Sequence, residues 1–226
     1  MALDSVSSPG ASDEARLCSA LVDALSLSGG SITVFGHNGI QSTIYVSDPV
    51  AARCDALQFE LGVGPRWEAL TTGAPVLRSD LSDTSHTVWP MFSVAAMQLG
   101  VEAVFAFPVK IGAATVGVVD LYSSTPRRLD AHQVFLAEST ASRMAASVVH
   151  TATASANDPN SVEHPMAPAL RREVHQATGM IQAQLDTTAT DAFTRLRAHA
   201  FASGRPVEVI AREVVERLLD FSTITD

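Results

Sequence analysis

The order of hydrophobic and polar residues divides this chain into a part with mixed helix and strand patterns and a later part with helix patterns only. Residues 32–46 alternate apolar and polar side chains on both sides of His37-Asn38-Gly39, which is typical of a hairpin. Apolar runs at residues 101–109 and 114–124 are separated by the turn Lys110-Ile111-Gly112, which predicts two more strands. The first part therefore contains antiparallel strands.

Helical spacing of apolar residues occurs before, between and after these strands. The predicted helices of the first part cover residues 11–25, 50–61, 89–99 and 130–150, and a short strand covers residues 74–81. An antiparallel sheet with helices at both ends is an α+β layer structure. We therefore expect the first part to be one α+β domain.

The last part of the chain predicts a small all-α bundle of three helices. The helices cover about residues 169–185, 188–202 and 206–221. Thr188 and Asp191 have the spacing of a capping box at the start of the second helix. Gly204 suits the residue after a helix end, and Pro206 suits the first turn of the next helix.

The stretch between the two parts has no hydrophobic period. Residues 151–168 are rich in Ala, Ser, Thr and Asn and contain Pro159, Pro165 and Pro168, as linkers do. We expect residues 1–10 to be disordered, residues 11–150 and 169–226 to be domains, and residues 151–168 to be a linker. Because proline interrupts helices, we expect a loose tether between the domains and not a rigid helical lever.

Composition limits the classes of partner. The formal net charge of −9 argues against broad binding to phosphate backbones, and only residues 171–205 are locally basic, with five arginines against three acidic residues. Cys18 and Cys54 lack metal-ligand spacing, and we expect no metal site and no cofactor. No apolar run is long enough to cross a membrane, so the sequence predicts a soluble, cytoplasmic protein.

Four sequence stretches of the first part resemble a GAF domain. They are LGVGPRWEAL at 61–70, Asp80-Leu81, WPMF at 89–92 and FAFPVKIGAATVGVVDLYS at 105–123. The resemblance implies a six-stranded antiparallel sheet with a small-molecule cavity on one face, and a dimer formed through terminal helices. The ligand itself cannot be named from the sequence.

Two residues are candidates for the wall of that cavity. His86 lies in the loop before WPMF and is either an axial ligand for haem or a solvated loop residue. Trp89 either stacks on a ligand or packs on the sheet at a helix start, and Trp67 has the same alternatives. Arg66 is expected to cap a helix or to be solvated.

One GAF subfamily reduces free methionine sulfoxide, which requires a cluster of cysteines because a second thiol must resolve the sulfenic acid. Cys18 and Cys54 do not supply that cluster. We therefore expect no catalytic residues and no enzymatic activity.

Three stretches of the last part resemble the ANTAR domain of AmiR- and NasR-type antitermination regulators. They are QATGMIQAQL at 176–185, DAFTRLRAHAFASGRP at 191–206 and VIAREVVERLL at 209–219. The resemblance implies a helical bundle that binds tandem RNA hairpins in transcript leaders as a homodimer. Such binding masks a terminator, so transcription continues.

The residues that we expect to bind RNA lie on the first two helices of the bundle. They are Arg171, Arg172, Gln176, Ala177, Thr178, Gly179, Arg195 and Arg197. Arginine pairs with phosphate and stacks on unpaired bases, and Gln and Thr read base edges in a hairpin loop. Arg197 either contacts RNA or braces the bundle.

Gly179 lies in the middle of a predicted helix, where glycine costs roughly 1 kcal/mol relative to alanine. Either it lets two helices pack closely, or it leaves the backbone open beside an RNA loop. Phe193 and Phe201 are expected to be buried, which would leave no exposed aromatic residue to stack bases.

The sequence therefore predicts an antitermination regulator in which a GAF domain senses a small molecule or mediates dimerisation and controls RNA binding by the bundle. The alternatives are a DNA-binding regulator, a dimerisation scaffold and, least favoured, a methionine sulfoxide reductase. Glu208, Glu213 and Glu216 give the third helix the wrong charge for a DNA groove.

Overall fold

A computed structural model describes residues 13–35, 41–83, 88–157, 170–205 and 207–223, apart from the side chains of residues 148–157 and 170–172. The predicted turn at residues 37–39, the first ten residues, His86 and Pro206 lie outside the described residues, as does most of the predicted linker.

The first domain contains five helices and five strands within the described ranges. In chain order they are α1 (Asp13–Leu25), β1 (Gly29–Phe35), β2 (Gln41–Val46), α2 (Pro49–Leu61), α3 (Pro65–Thr72), β3 (Val76–Arg78), α4 (Pro90–Gln98), β4 (Ala103–Ile111), β5 (Ala114–Ser123) and α5 (Ala131–Asn157). The antiparallel order β2-β1-β5-β4-β3 confirms the predicted α+β sheet, although the described residues form five strands where the resemblance implied six.

The sheet is covered on both faces. On one face, α1 and α5 pack over inward residues that include Phe105 and Phe107 of β4. On the other face, α2, α3 and α4 pack over the alternate residues Val104 and Ala106. Residues 103–107 therefore form a continuous apolar run, because a strand covered on both sides has no solvent face.

Two helices differ from the sequence prediction. Helix α5 ends at Asn157, seven residues inside the predicted linker. Alanine-rich sequence favours the helix there even without a hydrophobic period. Helix α3 was not predicted as a separate helix. It begins at Pro65 after Gly62, whose backbone is left-handed with φ 63° and ends α2.

The second domain is the predicted three-helix bundle, α6 (Leu170–Leu185), α7 (Ala189–Ala202) and α8 (Val207–Val215). The Thr188 side chain caps α7 by accepting a hydrogen bond from Asp191 N at 3.1 Å and donates to the Asp191 carboxylate at 2.8 Å. Helix α8 ends earlier than expected, and Phe221 of a following 3₁₀ turn closes the bundle core.

Arg66 is the most unexpected residue of the first domain. Its side chain is 0% exposed, whereas the sequence suggested a helix cap or a solvated group. Its guanidinium donates to the carboxylate of Asp55 and, through Nε at 2.7 Å, to the carboxylate of Asp120. The prediction was wrong because an arginine in an exposed-looking loop sequence carries no signal of its distant carboxylate partners.

The carboxylates that hold Arg66 are themselves fixed by hydrogen bonds. Thr33 and Thr43 donate to Asp55 at 3.0 and 2.9 Å. Burial by itself would lower the pKa of the Arg66 guanidinium, but Asp120 and Asp55 raise it above its ordinary value. The guanidinium therefore keeps its charge and links α2, α3 and the sheet.

We expect Arg66→Met to lower the stability of the first domain by about 3–5 kcal/mol, because it leaves two carboxylates buried without their cation. Burial raises the pKa of Asp120 and Arg66 opposes this rise. The defect should therefore shrink as the pH falls and the carboxyl groups take up protons. Both tryptophans lie in the first domain, so denaturant unfolding followed by tryptophan fluorescence measures this effect.

Arg53→Met is the matched control, since Arg53 pairs with Glu60 at 2.5 Å on the surface of the same domain. An exposed pair of this kind contributes at most about 1 kcal/mol. Equal losses in the two variants would contradict a structural role for the buried cluster.

Candidate nucleic-acid interface

The space on the sheet between α2, α4 and β5 is nearly filled. Only about 20 Å³ remains there, beside Asp55, Phe92 and Asp120. That volume holds about one water molecule. A larger pocket of about 220 Å³ lies beside the same core between β3 and α4, where Arg78, Trp89 and Ser93 line it.

The two expected wall residues are placed differently. His86 lies outside the described residues. Trp89 is 6% exposed and belongs to the core, where its ring meets Phe92 edge-on at 6.2 Å and the Arg78 guanidinium lies 5.4 Å from its centre. Trp89 therefore packs in the core and also lines the pocket between β3 and α4.

The two cysteines lie on opposite faces of the sheet, since Cys18 belongs to the core under α1 and Cys54 to the core under α2. Burial raises the pKa of each thiol to about 12, so both stay protonated at neutral pH. A sulfenic acid on one could not be resolved by the other, which argues against methionine sulfoxide reduction.

Helix α6 divides the expected RNA-binding residues between its surface and the interior. Gln176 and Gly179 are exposed. Ala177 lies in the bundle core, and Thr178 is buried with its hydroxyl donating to Val174 O at 2.7 Å. Ala177 faces the bundle core and Thr178 lines the contact with the first domain, because neighbouring residues of a helix point in directions about 100° apart.

Gly179 does not serve close helix packing. A Cβ atom placed on Gly179 would meet no atom of the described residues within 4 Å. The packing explanation for this glycine is therefore wrong, and the exposed backbone at this turn of α6 needs another reason.

Helix α7 carries Arg195 and Arg197 in different directions, since residues two apart do not share a helix face. Arg195 is exposed to solvent. Arg197 instead points at the first domain. The two arginines therefore cannot contribute to one flat RNA surface while this contact exists.

Arg197 binds the carboxyl end of α2. Its Nε donates to Glu60 O at 2.9 Å, and its Nη2 donates to Leu61 O. These carbonyls belong to the last turn of a helix, where they lack partners within the helix and carry partial negative charge. A side chain at Gly62 would overlap the guanidinium, so glycine is required there for this contact as well as for its left-handed backbone.

An aromatic contact lies beside the arginine. Phe59 of α2 is 2% exposed and belongs to the core of the bundle, with its ring 5.1 Å from that of Phe193 and 6.4 Å from that of His175. His175 Nε2 donates to Gln41 O on the edge strand β2 at 3.2 Å. The two domains are therefore docked in this structure, while most of the predicted linker lies outside the described residues.

Sequence reasoning missed Phe59, His175 and Gln41, because nothing in their local patterns marks a contact between domains. It also misjudged Phe201, which was expected to be buried and is 74% exposed. Phe201 follows the last buried position of α7, Ala200, so it points away from the core. An aromatic side chain is thus available to stack on a base near the end of α7.

Comparison with known proteins agrees with these two domains. The sequence matches the GAF domain family over residues 14–149 and the ANTAR domain family over residues 166–215. None of the curated proteins matches this sequence.

Solved structures with the same kind of fold resemble the first domain only distantly. A GAF domain region from Geobacter sulfurreducens PCA is 15% identical and covers 60% of this chain and 89% of its own, with a TM-score of 0.49. The GAF domain of a two-component sensor histidine kinase from Bacillus halodurans is 14% identical over 62% and 95%, with a TM-score of 0.45. A type II free methionine-R-sulfoxide reductase from Thermoplasma acidophilum is 15% identical over 60% and 89%, with a TM-score of 0.43.

Within the described ranges, no helix combines the length and hydrophobicity needed to span a bilayer, and no cluster of His, Cys, Asp and Glu has the makings of a metal site. The family matches cover both domains seen in the structure. The chain belongs to the GAF domain family over its first domain and carries an RNA-binding ANTAR domain after it, which makes it a regulatory protein.

Proposed function

We propose that this chain is a cytoplasmic transcription antitermination regulator whose GAF domain controls the binding of RNA hairpins by the ANTAR domain. The observation that carries the proposal is the position of Arg197, an expected RNA-binding residue that is held on the carbonyls of Glu60 and Leu61. A domain that occupies an RNA-binding residue of its neighbour is able to regulate it.

The proposed RNA surface lies on the exposed face of α6 and on α7. Gln176 and Gly179 are exposed on α6, and Arg172 shares their face by its spacing of four residues from Gln176. Arg195 and Phe201 are exposed on α7. The splayed bases and phosphates of a hairpin loop are recognised by groups of this kind, namely a side-chain amide, a guanidinium, an aromatic ring and an exposed backbone.

The docked arrangement is the weak-binding state in this proposal. Arg197 makes its hydrogen bonds to α2 and not to phosphate, and Thr178 is covered. Release of the ANTAR domain from the GAF domain would expose Arg197 and Thr178, which would then add to the RNA surface around Gln176. We propose further that the protein works as a homodimer, since two bundles joined together would bind paired hairpins more tightly than one bundle binds one.

Arg195→Ala is expected to weaken binding of a hairpin RNA, taken from transcripts that copurify with the protein, by several-fold to about tenfold. The dependence of log affinity on log salt concentration should become shallower by about one unit, because one phosphate contact is lost. Filter binding at several salt concentrations measures both effects.

Arg128→Ala is the control, since it removes an exposed arginine from the GAF domain. It should leave the affinity and its salt dependence unchanged. Equal effects of the two substitutions would contradict the proposed surface, and equally tight binding to a duplex DNA of the same sequence would favour a DNA-binding regulator.

Gly179→Ala should raise the stability of the ANTAR domain and lower its affinity for RNA. Alanine favours the helix by roughly 1 kcal/mol and has open space at this position, so the ANTAR domain should become more stable. The added methyl group should at the same time weaken RNA binding if the RNA approaches the backbone here. Thermal unfolding and filter binding measure the two quantities, and unchanged or tighter RNA binding would remove Gly179 from the proposed site.

Gly62→Ala should release the ANTAR domain and raise its affinity for RNA, because the new side chain displaces the Arg197 guanidinium from α2. The release should appear as faster amide hydrogen exchange at the carboxyl end of α2 and along the Phe193 face of α7. This variant leaves Arg197 itself intact, so any change in RNA binding comes from the contact and not from a lost cation.

Gly73→Ala is its matched control. Gly73 ends α3 with the same φ of 63°, and a side chain there would meet the flexible end of Lys110 at 3.2 Å and Thr115 Oγ1 at an ordinary contact distance of 3.8 Å. Both alanines bear the cost of the left-handed backbone, about 1–2 kcal/mol. If Gly62→Ala changed RNA affinity no more than Gly73→Ala, docking would not be inhibitory.

A further inference from the structure

A cleft of about 260 Å³ lies between the two domains, separate from the nearly filled space on the sheet. The GAF domain lines it with Gln41, Phe59 and Trp67, and the ANTAR domain lines it with His175, Phe193 and Arg197. The cleft therefore exists only while the domains are docked, and anything bound in it contacts both of them.

Gln41 is the residue that identifies this cleft as a site. Its side chain is 2% exposed, yet neither Nε2 nor Oε1 has a hydrogen-bond partner among the residues that the structure describes. Burying an amide without partners is unfavourable, because its donor and acceptor lose water and gain no hydrogen bond in return. A side-chain amide presents one donor edge and one acceptor edge, so it is complementary to a ligand that carries an acceptor next to a donor.

The other walls of the cleft are aromatic. Phe59, Phe193 and Trp67 line it, and the Trp67 indole is held in place because its Nε1 donates to Gln58 O at 2.7 Å. Phe35 meets the Trp67 ring edge-on at 6.1 Å. Fixed aromatic side chains favour a flat ring that can stack on them or meet their edges.

The charge of the cleft is neutral to positive. Among the described residues, Arg197 and the titratable His175 line it, and no Asp or Glu does. The cleft therefore disfavours cations and accepts a neutral or anionic molecule.

We propose that this cleft binds a planar heteroaromatic amide, meaning a ring lactam, a nucleobase-like ring or an aromatic carboxamide, whose amide pairs with Gln41 and whose ring packs on Phe59 and Phe193. Such a ligand contacts both domains and stabilises their docked arrangement. Resting on the proposed function, it acts as a negative effector of RNA binding, because a ligand that binds one state better shifts the population towards that state.

The test uses the full chain and four probes in two pairs, hypoxanthine with purine and nicotinamide with pyridine. Within each pair, the second probe has the same ring as the first but lacks its amide. Ligand-observed NMR titration should give saturable binding for at least one of the amide probes and binding at least about tenfold weaker for its partner, because two hydrogen bonds to Gln41 are lost. No saturable binding of hypoxanthine or nicotinamide overturns the proposal, as does equal binding within both pairs.

Gln41→Leu tests the residue directly. It should weaken binding of the amide probe at least about tenfold and raise the midpoint of denaturant unfolding, since the unpartnered buried amide is replaced by an apolar group. A loss of binding together with a gain in stability cannot arise from misfolding. Gln182→Leu, an exposed position on α6, is the control that should leave binding unchanged. Unchanged probe binding in Gln41→Leu overturns the proposal.

Hairpin RNA affinity measured with and without the bound probe tests the coupling. The amide probe should lower RNA affinity in the native chain and have no effect in Gly62→Ala, whose domains are released. If the probe binds but RNA affinity does not change, the ligand site is supported and the ligand's role as an effector is overturned. Probe binding is measured without RNA. If only the proposed antitermination function is wrong, the probe still binds and RNA does not respond. If the ligand site is wrong, the probe itself does not bind.

Discussion

The ion pairs of Arg66 with Asp55 and Asp120 are the constraint on which the rest of the structure depends. They join helices α2 and α3 to the sheet. Gln58 extends the cluster, since its Oε1 accepts from Arg66 N at 2.8 Å and its backbone carbonyl accepts from the Trp67 indole. The carboxyl half of α2 is fixed in consequence.

The fixed end of α2 is the surface on which the ANTAR domain docks. Phe59 enters the bundle core, and the free carbonyls of Glu60 and Leu61 bind Arg197. The buried cluster thus also positions the contact between the domains. The proposed ligand site lies at that contact, beside the unpartnered amide of Gln41.

Docking uses the face of α7 that carries Arg197, and Arg195 lies on the opposite face. Arg195 is exposed while Arg197 contacts the GAF domain. In the proposed function, the docked protein keeps Arg195 for a first encounter with RNA, and full engagement also uses Arg197.

The sequence by itself determined the sheet and the bundle, with helix ends to within about seven residues, because these follow from local periodicity, caps and turns, as at Thr188. It also identified Gly179 as a glycine whose position needs an explanation. Only the tertiary structure decided that Arg66 is buried, that Phe201 is exposed and that Arg197 reaches Glu60. Arg66 binds Asp55 and Asp120, 11 and 54 positions away, and Arg197 reaches a carbonyl 137 positions away, whereas a periodic pattern carries information only about the nearest turns.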